Sequence, residues 1–116
     1  MDYGFDEKTE TSGVFSSYDS MALVRDAVGE GILAPMRLVS PMFGGAEDDS
    51  NTLYVPPLVI QFKDSVDSML AEALQSGKKV RGVKIEPRYK GDSLVPSSIY
   101  IKAGGDVDIE ETINIW

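Results

Sequence analysis

The sequence predicts an α+β domain made of two αββ repeats, with a mainly antiparallel sheet of about five to six strands and two helices packed on one face. Three observations predict it. Val66, Met69, Leu70, Ala73 and Leu74 recur at helical spacing, the stripe of an amphipathic helix. The C-terminal stretch DVDIEETINIW sets Val107, Ile109, Ile113 and Ile115 against Asp108, Glu110, Thr112, Asn114 and Trp116, the period-two pattern of a strand with one buried and one wet face. The third is self-similarity. DSM at 19–21 recurs at 67–69, and after a two-residue slip Pro41 matches Pro87, Phe43 matches Tyr89, Gly45 matches Gly91, and LYV at 53–55 matches IYI at 99–101. The pseudo-repeats cover about 17–62 and 65–110, within one domain spanning 13–116. Each αββ unit has a helix stripe and a sheet face that it cannot bury alone, and a second copy completes the core.

The elements follow in order. Residues 1–12 are acidic and poor in apolar side chains, so they read as a flexible tail, with the chain joining the core at about Val14 and Phe15. Met21, Val24, Ala27 and Val28 mark a first helix, with Ser17 or Asp19 as its N-cap and Gly29 or Gly31 as its stop. ILAPMRLVS reads as a short strand, and 41–51 as a glycine-rich acidic loop. TLYVPPLVIQF reads as a strand interrupted at Pro56 and Pro57, which lack the N–H that a ladder needs. The second helix takes its cap from Asp64 or Ser65 and ends at Gly77. KVRGVKIEP and SSIYIKA read as strands joined by a Pro-x-aromatic-x-Gly turn, and the last strand carries a bulge at Glu111, which breaks its alternation.

Composition narrows the chemistry. There is no cysteine, which removes disulfides and thiolate sites, and no histidine, which removes the commonest general base and metal ligand. No spacing singles out a catalytic pair, so the expectation is a protein that is not an enzyme, with no cofactor and no metal. Glu47, Asp48 and Asp49 are hard oxygen ligands, but they lack the alternation and central glycine of a calcium loop and read as a solvated loop. The longest apolar run, LYVPPLVI, is far shorter than a membrane span and holds two prolines. Without a secretory pattern at its start, the chain is expected to be cytoplasmic and to make no membrane contact.

A net charge of −8 repels nucleic acid and attracts basic proteins. The acid is concentrated in residues 1–58, net −7, whereas residues 59–116 carry −1. The leading expectation is a small acidic protein-binding module, an inhibitor or immunity-type protein that covers the cleft of a basic toxin or nucleic-acid enzyme. Its expected contacts are Glu47, Asp48 and Asp49 with Asp106, Asp108 and Glu110. The alternative is an assembly subunit forming a homo-oligomer through its C-terminal strand; Trp116 and Tyr89 are the expected aromatic contacts to a partner or to a second copy. Trp116 has a second role open to it, folding back to seal the core edge. A third reading places a small anion or nucleotide at Lys84, Arg88 and Lys90, in a basic stretch whose other role is to guard an exposed strand against aggregation.

Overall fold

The computed structural model describes residues 15–116; the tail expected at 1–12 lies outside them. The described chain is α+β, and its order is helix and hairpin, helix and hairpin, then a fifth strand. Helix α1 (Met21–Gly29) is capped by Ser20, whose side chain accepts the Leu23 N–H, and not by the expected Ser17 or Asp19. Strands β1 (Ala34–Arg37) and β2 (Thr52–Val55) form an antiparallel pair with Ala34 opposite Val55. Helix α2 (Pro57–Gln75) leads into β3 (Val80–Arg88), β4 (Ser98–Gly105) and β5 (Ile109–Asn114), an antiparallel sheet in the order β3-β4-β5.

The strands therefore make two sheets, of two and three strands, and not the single sheet of five to six expected. The cause lies at Pro56 and Pro57. Pro56 sits at φ −57°, ψ 142° and Pro57 opens the helix, where a missing N–H costs nothing and a fixed φ favours the first turn. The segment from Leu58 to Phe62, expected to extend a strand, is helical instead, and β2 stops after four residues. The helix is correspondingly rotated. Val59, Lys63, Val66, Asp67, Leu70 and Ala73 are buried, whereas Met69 and Leu74 of the expected stripe are about half exposed.

Ile99, Ile101, Ala103, Ile109 and Ile113 from the three-stranded sheet join Val59, Val66 and Leu70 of α2 and Val24 and Ala27 of α1 in one core. Phe15 and Tyr18 join it as well. The bulge expected at Glu111 is not present: β4 and β5 pair without a register break from Ser98–Asn114 to Ala103–Ile109. Glu111 stands opposite buried Ile101 yet is itself exposed, because β5 is an edge strand and its side chain reaches water without a kink. The register shift falls in β3 between Arg81 and Lys84, where Gly82 takes φ +63°.

The two matched turns adopt different local structures. Pro41 opens a 3-10 turn, Pro41–Phe43, closed by Gly44 at φ +84°. Pro87 lies inside β3 opposite Ile99, and Gly91 at φ +55° turns the chain afterwards. Among the described residues no helix is long and apolar enough to cross a membrane.

Candidate protein-binding groove

The acidic loop between β1 and β2 is held from below by one buried amide. Asn51 accepts the Val39 N–H at 2.8 Å and donates to the carbonyls of Val39 at 2.8 Å and Ala46 at 2.7 Å. A Cβ on Gly45 would lie 1.8 Å from the Val39 carbonyl oxygen, so close backbone approach requires glycine there. Asp48 caps the short turn Asp49–Asn51, accepting the Ser50 N–H at 3.0 Å and the Ser50 hydroxyl. Those hydrogen bonds, the hydroxyl's first, hold the Asp48 carboxyl below its ordinary value. Arg37 donates to the Thr52 hydroxyl and to the Asp48 carbonyl. The loop thus presents Glu47, Asp48 and Asp49, all exposed, from a fixed backbone.

Beside it lies a groove of about 580 Å³, bounded by α1, β2 and the turn that follows β3. Asp49, Tyr54, Tyr89, Asp92 and Leu94 line it, with Arg25 contributed by α1. The turn is pinned in place: Leu94 N–H donates to Tyr18 O at 2.7 Å, and the Ser93 hydroxyl donates to Phe15 O at 2.6 Å while accepting the Val95 N–H at 3.1 Å. Tyr89 and Leu94 remain partly open to solvent, 47% and 37% exposed, so apolar surface is available for contact. Desolvation raises the Tyr89 phenol above its ordinary value, and the ring keeps its O–H as a donor at neutral pH. Two carboxylates against one guanidinium leave the lining negative, and two aromatic rings supply rigid area. Such a groove suits a cationic side chain lying against aromatic faces.

Of the expected site residues the groove brings together Asp49 and Tyr89, and the remaining ones lie outside it. Asp106 and Asp108 border a different depression, with Glu72 and Lys78. The eight-residue strand β4 runs between the two ends of the sheet, which sets them roughly 23 Å apart at a strand's rise per residue. Asp106 has structural work there, since its carboxylate accepts the Lys79 N–H at 2.8 Å and its own N–H donates to Lys79 O at 2.7 Å. Glu110 accepts the Tyr100 hydroxyl at 2.5 Å on the outer sheet face, a bond that raises the Tyr100 phenol above its ordinary value.

The three basic candidates do not converge. Lys84 and Arg88 are exposed on β3 with Glu86 between them at alternate positions, and Arg88 lies 5.4 Å from the centre of the Tyr100 ring. Lys90 turns the other way, donating to the Trp116 carbonyl at 2.8 Å and sitting 5.2 Å from the centre of its ring. Trp116 is folded back, its indole N–H donating to Val95 O at 3.0 Å. Among the described residues no group of three His, Cys, Asp or Glu side chains is placed to hold a metal ion.

Sequence reasoning missed Arg25, Tyr54 and Asp92. Alternation along β2 was a usable signal for Tyr54, but the meeting of β2 with the turn after β3 joins residues more than thirty apart in the chain, and no local pattern records it. Neither a protein-family model nor a curated protein matches the chain.

Proposed function

We propose that this chain is a small acidic protein-binding module whose groove takes a cationic segment of a basic protein, in the manner of an inhibitor or immunity-type protein covering a basic surface. The observation that carries the reading is the convergence of Asp49 and Asp92 with Tyr54 and Tyr89 on one groove. Carboxylates neutralise an incoming Lys or Arg, the rings cover its aliphatic stem, and the net charge of −8 steers a cationic partner toward the molecule. A toxin or nucleic-acid enzyme with a cationic cleft is the partner class that suits such a groove, and the chain's part in the encounter is binding without a reaction.

The test is capture from a lysate of the source cells on immobilised wild-type chain and, in parallel, on Asp49→Lys/Asp92→Lys. We expect a basic protein retained by the wild type, released by salt, and missing from the variant. Retention of the same proteins by both chains would remove the groove from the account.

A further inference from the structure

The two edges of the three-stranded sheet are not equally protected. Among the described residues β3 and β5 each have a ladder partner on one side only. The β3 edge carries the usual guards against strand addition: a register shift between Arg81 and Lys84, Pro87 within the strand, and exposed Arg81, Lys84 and Arg88. The β5 edge has no proline, no glycine and no register break over its six residues. What marks it is charge of the other sign. Glu110 and Glu111 are both exposed and, being consecutive, stand on opposite faces of the sheet. The hydroxyl of Tyr100 fixes the Glu110 carboxylate through Oε2.

We infer that the β5 edge adds an extended strand from the basic partner, with two consecutive cationic side chains set against Glu110 and Glu111. Main-chain hydrogen bonds would provide the attachment and the paired charges the register. A second copy of this chain fits less well. Two molecules each at −8 repel one another, and the two-fold register centred on Glu111 would set its carboxylate against its counterpart. A segment of opposite sign has neither cost. The inference rests on the reading that the partner is basic, but it concerns a different surface from the groove.

The experiment is amide hydrogen exchange by NMR on the labelled chain, with and without the hexapeptide Thr-Val-Lys-Arg-Val-Thr at low salt. We expect new protection of the Glu110 and Thr112 amides, which point away from β4, none with the same peptide carrying two glutamates in place of Lys-Arg, and affinity about tenfold weaker for Glu110→Lys/Glu111→Lys. Asp49→Lys/Asp92→Lys should lose any contact of the peptide with the groove but show the same β5 protection as the wild type, so β5 protection together with undiminished capture of basic proteins by that variant would fail the groove alone. Unchanged exchange along β5 with the peptide present would overturn the inference. So would Glu110 and Thr112 amides already fully protected in the free chain, because the edge would then be covered by the protein itself.

Discussion

Lys63 is the largest side chain fully buried in the described core, 1% exposed, and both Asp67 carboxylate oxygens lie 2.9 Å from its Nζ one helical turn on. A pair of this kind matters most when half of it is lost, because the remaining charge stays in a poor solvent. Asp67→Ala should therefore cost about 3 kcal/mol of unfolding free energy, whereas Lys63→Met/Asp67→Leu should fall within about 1 kcal/mol of the wild type or exceed it. Urea denaturation of the two variants checks this, and equal losses in both would contradict it. The pair was not legible in the sequence, since lysine and aspartate at i and i+4 look the same on a wet face as on a buried one. Tyr100 gives a residue-scale test in pH. Its phenol is raised in the folded chain by the bond to Glu110, so the associated stability is complete below the ordinary phenol value and is lost as pH rises through the raised one. Tyr100→Phe should remove that alkaline slope in a pH series of unfolding midpoints; a slope unchanged by the substitution would assign it to other groups.

At the scale of elements, strand positions from Val80 onward were legible because period two and turn residues are local signals. The start of α2 was not. Pro56-Pro57 breaks a ladder as readily as it opens a helix, and the beta-branched and aromatic residues Val59, Ile60 and Phe62 favour a strand on propensity alone. Burial of Val59 and Lys63 on the same face as Val66 and Leu70 decided between them. Hydrogen exchange reads the outcome directly. With the helix starting at Pro57, amides from Gln61 to Asp67 should be protected; a helix starting at Asp64 or Ser65 would leave them fast. The acidic loop was legible as a loop, but its rigidity was not, because it depends on Asn51 reaching Val39 and Ala46 and on the space that Gly45 leaves for the Val39 carbonyl.

For the molecule as a whole, the total charge was readable from composition, and its arrangement was not. A strand's length of β4 divides the acidic residues into two ends, and only one end adds aromatic surface to the charge. The lining charge alone favours the Asp106 end, with Glu72, Asp106 and Asp108 against Lys78, over the groove, with Asp49 and Asp92 against Arg25, so recognition at the groove rests on the aromatic surface that it adds. The most direct measurement is a ¹H–¹⁵N shift map of the labelled chain titrated with hexa-arginine at low and then high salt. The account predicts salt-sensitive shifts concentrated at Asp49, Thr52 to Tyr54 and Tyr89 to Leu94, with a second set at the β5 edge from Glu110 to Thr112 and smaller changes around Asp106 and Asp108. Shifts of equal size at both ends would contradict it, reducing the recognition to unlocalised electrostatics.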